Sequence, residues 1–367
     1  MKNIAIIGMG KMGSKYAKMI LEDKNLGYNL VASTRINNEL SQKIKSYLGS
    51  FKIYESDEKL FEAYDNHEFD CDTILVATPH YAHKYSVIEA FKRNLDVLCE
   101  KPAGVYLKDG REMILNNKNN NRYGFIFHQR IYPINLFLYD IIKSNKYGRI
   151  KRINYIVTDW FRTNAYYKSN YWRSTYKTDG GGTLLNQCPH SIDLMCHLFG
   201  MPKRLMAFCN EGKYHNIEVE DDVTAYLEWE NGATGVFIAS TGEIPGINRM
   251  EISTDRAIIS VYNNKIEITY NLNDDKYYLD LPNENFKQDL KIEEYVFEKN
   301  DAYYEVIKLF SEGNVIASVD EAIMSLYLSN AMYLSSWKKK IIEIYDINSK
   351  EELEFEKEFE EEMKKHL

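Results

Sequence analysis

The chain has 367 residues, 44% of them hydrophobic and 27% charged, with a formal net charge of −8. That length predicts two or so domains with ample core, and the composition is that of an ordinary globular protein. The acidic balance argues against a nucleic-acid partner, which usually meets a basic patch. No apolar run approaches the roughly 20 residues of a membrane span.

Strand and helix alternate over the first 125 or so residues. Asn3–Ile7 reads as a short buried strand, and the glycines after it open a helix over Met12–Glu22. The apolar run ends in glycine behind a single lysine, so it is a first strand rather than a signal peptide; a cytoplasmic protein is expected. Strands follow at Asn29–Thr34, Asp72–Ala77, Asp96–Cys99 and Tyr123–Phe127, with helices over Tyr81–Arg93 and Leu107–Asn117. Such alternation predicts a parallel, doubly wound sheet. The polar run 116–121 reads as an exposed turn.

Beyond residue 128 the pattern turns to strands: Lys151–Trp160, Leu205–Cys209, Val223–Glu230, Ala233–Ser240, Met250–Thr254, Ala257–Tyr262 and Lys265–Tyr270. Asn231-Gly232 and Asn263-Asn264 suit hairpin turns because both accept positive φ. A large, mostly antiparallel sheet is expected, with one face needing cover. A helix is predicted over Pro189–Phe199, and two more over Ala302–Glu312 and Asp320–Lys338. In the acidic tail, Phe355, Phe359, Met363 and Leu367 recur at i+4, an amphipathic helix that docks on its own domain or on a partner. The expected fold class is thus α/β, with a Rossmann-type doubly wound domain over 1–125 and an α+β domain carrying a large, mostly antiparallel sheet over 126–367.

Five cysteines, Cys71, Cys99, Cys188, Cys196 and Cys209, show no C-x-x-C spacing. They read as reduced, buried thiols. No His-x-x-x-His or carboxylate pair at ligand spacing suggests a metal. Aromatics reach 13%, with 29 tyrosines. That suits packing, and it also suits a site that stacks on rings and hydrogen-bonds hydroxyls.

Gly8-Met9-Gly10-Lys11-Met12-Gly13 follows a strand and opens a helix, the context a dinucleotide fingerprint requires. Gly8 permits the tight turn, Gly10 lets the backbone approach a pyrophosphate, and Gly13 lets helix and strand pack. Lys11 and Met12 stand where the helix begins, and its free N–H groups favour phosphates. The next strand ends Ser33-Thr34-Arg35, with no carboxylate before Glu39 to hold a ribose 2′-hydroxyl. Two hydroxyls and a guanidinium suit a 2′-phosphate, so NADP is expected over NAD. The alternative is that Arg35 is a surface charge and either cofactor serves.

Glu100-Lys101-Pro102 and Gly180-Gly181-Gly182-Thr183-Leu184-Leu185-Asn186-Gln187-Cys188-Pro189-His190-Ser191-Ile192-Asp193 follow in order. Together with the glycine fingerprint, these blocks resemble the Gfo/Idh/MocA family of sugar and cyclitol oxidoreductases. The resemblance implies hydride transfer between nicotinamide and a ring carbon of a sugar, sugar derivative or inositol. It implies that Ala77, Thr78, Pro79 and His83 line the cofactor, although His83 suits equally a helix-start residue packed on its loop. It assigns Lys101, with Glu100 beside it, to the reacting hydroxyl and the cofactor ribose. A developing alkoxide needs such a cation. His190 is the candidate general base, since an imidazole accepts a proton near neutral pH. Asn186 stands where many members carry Asp; it would hold a hydroxyl but cannot take a proton. Asp193 lies one helical turn from His190 and would orient it, or else serves in a salt bridge. Trp172, Arg173 and Tyr167 would wall a polyol pocket, or pack as an aromatic corner under the sheet. His128 follows the last Rossmann strand and is expected to face the same ligand. The family also implies a homodimer or homotetramer built through the large sheet. Two other readings fit the motifs: glycoside cleavage with transient oxidation, and a cofactor-binding regulator without catalysis.

Overall fold

Continuous apolar strands need cover on both faces, and β1 (Lys2–Ile7) and β4 (Thr73–Val76) are such strands. In the structure, a computed structural model that describes residues 1–34, 49–169, 174–282 and 289–367, both bury their apolar runs. Arg35, Trp172 and Arg173 lie outside the described residues. With β2 (Tyr28–Thr34), β3 (Lys52–Tyr54), β5 (Asp96–Cys99) and β6 (Tyr123–Phe125) they form a six-stranded sheet, ordered β3-β2-β1-β4-β5-β6. Every pairing in it is parallel. The chain order reverses between β1 and β4, the switch point where doubly wound sheets bind ligands. Helices Lys11–Glu22, His83–Lys92 and Leu107–Asn116 stand where alternation places them. Among the described strands and α-helices of residues 1–131, two have no counterpart in the predicted set. β3 is an edge strand with two of its three residues exposed, and helix Asp57–Asp65 is capped by Ser56, whose hydroxyl accepts from the Lys59 N–H.

The described chain divides into two units, Met1–Ile131 with Asp301–Leu326, and Tyr132–Asn300 with Tyr327–Leu367. Residues 301–326 therefore return to the Rossmann unit, although division at residue 125 places them in the other. Side chains explain the return. The Tyr303 ring stacks on His128 at 4.0 Å, and Lys15 Nζ stands 3.6 Å over that ring. Arg122 donates to the Phe310 carbonyl at 2.8 Å. None of these contacts has a local sequence signature.

The second unit is built on nine strands: β7 (Ile150–Val157), β8 (Arg204–Glu211), β9 (Glu220–Glu228), β10 (Thr234–Ser240), β11 (Asn248–Thr254), β12 (Ala257–Tyr262), β13 (Lys265–Asn271), β14 (Leu290–Val296) and β15 (Ile342–Glu343). Their order is β14-β13-β12-β11-β7-β10-β9-β8-β15, and only β7 and β10 pair in parallel. Asn263 and Asn264 both adopt positive φ in the β12–β13 turn, and Gly232 does so between β9 and β10. Alternation sets the two faces. Ala225, Leu227, Phe237, Ala239, Ile252 and Ile259 point into the core, while Phe208, Tyr226 and Ile258 are exposed. Tyr226 stands opposite Met206 and Val236, so the outward face carries an apolar row. β14 escapes a hydropathy reading because it is a charged edge strand, Leu-Lys-Ile-Glu-Glu-Tyr-Val.

The tail helix Lys350–Met363 buries Phe355, Phe359 and Met363 on its own unit. Phe359 stacks on Trp337 and Phe355 packs on Tyr327. All five cysteines are free thiols. Among the described residues no helix is long and apolar enough to cross a membrane.

Candidate functional site

Each unit carries its own candidate groups. In the first, the glycine turn is fixed by contact. Gly8 has φ +92°, and a Cβ on it would lie 2.5 Å from the Ala77 backbone. A Cβ on Gly13 would lie 2.2 Å from the Gly8 carbonyl oxygen. At Gly10 a Cβ would meet nothing within 4 Å, so the turn is open there. Helix Lys11–Glu22 begins with no side-chain cap and no acidic residue in its first turn. Its N–H groups and positive dipole end are thus free for an anion. These residues fit a dinucleotide pyrophosphate.

The end of β2 differs from expectation. Ser33 is fully buried with its hydroxyl unpartnered, and Thr34 Oγ1 accepts from the Gly8 N–H at 2.9 Å. Ser33 faces the core because strand alternation turns it inward, and Thr34 secures the glycine turn. Neither hydroxyl is offered to a 2′-phosphate.

Lys101 follows β5 directly, and its peptide bond to Pro102 is cis. Beside it Glu100 is buried and accepts from the Tyr16 hydroxyl. Burial pushes the Glu100 carboxyl above its usual range, and the Lys101 charge opposes that shift. His83 is wholly buried, with Nε2 at 2.9 Å from the Thr78 carbonyl oxygen and Nδ1 at 3.0 Å from that of Pro102. The ring thus ties the loop after β4 to the loop after β5, and it does not line an open cofactor groove. Burial lowers its pKa, while the two carbonyls favour the protonated ring. His128 is also buried and stacked on Tyr303. Burial first, then the Lys101 and Lys15 charges, hold its pKa down at about 3. It is a neutral packing residue across the physiological range.

In the second unit the triple glycine is a packing necessity. Gly180 takes φ +84° to end helix Tyr176–Asp179. A Cβ on Gly181 would lie 2.1 Å from the Tyr333 hydroxyl, and one on Gly182 would lie 2.1 Å from the Glu220 carbonyl oxygen. The chain then enters a π-helical turn, Thr183–Gln187, and helix Pro189–Phe199. The fully buried Glu220 carboxylate holds this turn. It accepts from the N–H groups of Gly182 at 3.0 Å and Leu184 at 2.7 Å, and from the Tyr333 hydroxyl at 2.7 Å. Burial pushes its pKa up to about 7, against the pull of those three donors.

Asn186 Nδ2 donates to both oxygens of Asp179, each at 2.9 Å. Its Oδ1 accepts from Gln187 Nε2 at 3.1 Å. Gln187 Oε1 in turn accepts from Arg162 Nε at 3.0 Å and Nη2 at 2.7 Å. His190 and Asp193 stand on the following helix, buried to 8% and 1% exposure. Tyr167 packs as the aromatic-corner alternative describes. Its ring is buried against His215 and its hydroxyl lies 2.8 Å from Thr241 Oγ1. Sequence reasoning missed Asp179, Gln187 and Glu220. Asp179 left a signal, a carboxylate abutting the triple glycine; Glu220 left none, being one acid among 54.

Residues 2–127 match the model of the oxidoreductase family with an NAD-binding Rossmann fold, and residues 135–260 match the GFO/IDH/MocA C-terminal domain. The chain belongs to the Gfo/Idh/MocA oxidoreductase family. It is 24% identical over 241 residues to trans-1,2-dihydrobenzene-1,2-diol dehydrogenase of Bos taurus, covering 64% of this chain and 67% of that protein. It is 26% identical over 204 residues to glucose-6-phosphate 3-dehydrogenase of Bacillus subtilis, covering 54% of each. The match to Oxidoreductase P35 of Formosa agariphila, at 26% identity, covers 41% of this chain and 48% of that protein. The chain thus spans about half to two thirds of these relatives' lengths. The fold resembles that of the WlbA dehydrogenase from Bordetella pertussis in complex with NADH and UDP-GlcNAcA, with TM-score 0.75, 21% identity, and coverage of 94% and 99%. It also resembles levoglucosan dehydrogenase in complex with NADH and levoglucosan, with TM-score 0.72, 19% identity, and coverage of 94% and 99%.

Within this Gfo/Idh/MocA chain Glu220 makes a measurable claim. Its folded carboxyl titrates near 7 rather than 4.5, so between those values the native state holds the extra proton. Stability from this group is then present at low pH and is lost as pH rises to 7. Glu220→Gln puts an NH₂ among donors and is expected to cost about 1–3 kcal/mol at pH 5. That deficit narrows toward pH 8, because only the wild type loses the term. Urea unfolding at pH 5, 6, 7 and 8 measures it; a deficit that stays constant means Glu220 does not titrate there.

Proposed function

We propose that this chain is an NAD(P)-dependent dehydrogenase or reductase acting on a ring CH–OH of a sugar, sugar derivative or inositol. The observation that carries the reading is the open glycine turn on an uncapped helix N-terminus, in a chain that also holds Asn186 on the π-helical turn and His190 on the helix after it. Relatives named for glucose 6-phosphate and dihydrobenzenediol, and a fold neighbour holding levoglucosan, support a hydroxyl-bearing ring as substrate class.

The nicotinamide, when bound, supplies or accepts the hydride. The protein's residues handle the rest. The glycine turn holds the pyrophosphate through backbone N–H groups. His190 takes the hydroxyl proton during oxidation and returns it in reduction. Lys101 donates to the oxygen as negative charge develops on it. Asn186 accepts a hydrogen bond from a ring hydroxyl, and Asp193 orients the imidazole. With one charge-stabilising and one proton-transfer role, Lys101→Ala and His190→Ala should each lower kcat by about 10²–10⁴-fold. The double variant should lose less than the product, since the two serve one step. Steady-state kinetics on NAD(P)⁺ reduction with a sugar and inositol panel reads this out, and a double variant with wild-type kcat would sink the assignment.

We assign the cofactor preference to NADP through Arg35, because Thr34 is bonded to the glycine turn and Ser33 is fully buried. Fluorescence titration should show Arg35→Ala weakening NADPH by about tenfold or more, the worth of a charge-assisted pair, with NADH unchanged. A wild type that prefers NADH overturns it.

The outward sheet face suits a second copy of the chain, since an apolar row of this kind marks an interaction surface. Tyr226→Glu should convert a dimer or tetramer to smaller species in light scattering. A wild type already monomeric at micromolar concentration ends that reading.

A further inference from the structure

Arg162 is held through both its backbone and its side chain. Its N–H donates to the Thr241 carbonyl at 2.9 Å, and its carbonyl faces His215 Nε2 at 2.8 Å. His215 is itself fixed, with Nδ1 2.8 Å from the fully buried Asp221. That carboxylate also accepts from the N–H groups of Lys213, Tyr214 and His215. The side chain is equally constrained. The guanidinium stacks between the rings of Trp160 and Tyr166, 5.2 and 4.7 Å from their centroids. Nε and Nη2 both donate to one neutral oxygen, Gln187 Oε1.

Among the described residues the guanidinium has no counter-charge. Arg93, Arg122, Arg130, Arg149, Arg204 and Arg249 each meet a carboxylate. Among the described residues Arg162 meets none, although the chain has 54 acidic residues against 46 basic ones. Its Nη1 has no acceptor among them. A half-buried cation in a rigid frame, with donors unused, is organised for an anion that arrives from outside. Two amides link it to the candidate substrate groups, since Gln187 bonds both Arg162 and Asn186.

We propose that Arg162 is an anion-binding residue of the substrate half, so that the ring this chain handles carries a carboxylate or a phosphate. The inference rests on the oxidoreductase reading for the word substrate, but the anion site stands without it. The planar fork favours a group with two or more equivalent oxygens, which a neutral polyol does not offer. Stacking on the two rings keeps the fork in plane and restricts approach to its outer edge.

The test is equilibrium binding by titration calorimetry on the full chain saturated with NADPH or NADH. D-glucose, D-glucuronate and D-glucose 6-phosphate serve as probes, with inorganic phosphate as a fragment. Wild type should bind at least one sugar anion about tenfold or more tightly than glucose, the scale of a hydrogen bond to a charged group. The difference should shrink with added salt. Arg162→Gln should abolish it, and the tighter of the two anions names the group. Should Arg162→Gln fail to fold by circular dichroism, Arg162→Lys keeps the charge without the fork and should lose several-fold. Equal binding of glucose and the anions, no anion binding to wild type, or an undiminished preference in the variants would each overturn the proposal. Nicotinamide turnover with the same sugars is read separately. Anion binding with no turnover on any ring would count against the oxidoreductase reading and leave Arg162 standing. Turnover of neutral rings without anion preference would do the reverse.

Discussion

The Glu220 carboxylate is the point on which the second unit's candidate groups hang. It is fully buried, and its acceptors face two backbone N–H groups of the turn and one tyrosine hydroxyl. A buried carboxylate is tolerable only when such donors surround it. The arrangement forces the sequence around it. Glycine stands at 182 because a Cβ there would lie 2.1 Å from the Glu220 carbonyl oxygen, and at 181 because one would lie 2.1 Å from the hydroxyl of Tyr333, which donates to the Glu220 carboxylate. With Gly182 and Leu184 pinned, the π-helical turn has one path, and Asn186, Gln187 and then His190 follow from it. Part of a motif that reads as a family marker therefore follows from the packing of Glu220 and Tyr333 against the turn.

The first unit uses the same economy of backbone contact. Gly8 lies against Ala77, Thr34 accepts from Gly8, and His83 spans the loops after β4 and β5. The ends of four neighbouring strands are thereby fixed to one another by groups that face inward. The groups left outward, at Gly10 and the first turn of its helix, are those with no protein partner to satisfy them. Placement of a ligand site here follows from what the surrounding residues have already used up.

Much of this was legible in the sequence. Continuous apolar strands alternating with helices specify a parallel sheet, and the paired turns Asn231-Gly232 and Asn263-Asn264 specify hairpins. The glycine fingerprint, Lys101 and the segment around His190 were readable because their spacing is local. Features that depend on contacts distant in the chain were not. Tyr303 reaches His128, and Glu220 reaches Gly182, across long separations that carry no periodicity. Solvent-facing edge strands such as β3 and β14 show no apolar run, because an edge does not need one. Ser33, Thr34, His83 and Tyr167 are all buried: Thr34, His83 and Tyr167 bond to the protein, which for His83 and Tyr167 is the packing alternative the sequence left open, and Ser33 is turned inward with its hydroxyl unpartnered.

Asn186 shows how a substituted position can be compensated. The residue cannot carry charge, yet its amide is not free to choose an orientation. Both Nδ2 bonds go to Asp179, which leaves Oδ1 as an acceptor. Gln187 is set the same way from its other end, because Arg162 can only donate and so must face Oε1. A carboxylate at one end and a guanidinium at the other thus align two neutral amides between them. Flipping either would set donor against donor, which costs on the order of the desolvation of a buried polar group. The amides keep the two charges apart rather than letting them neutralise each other.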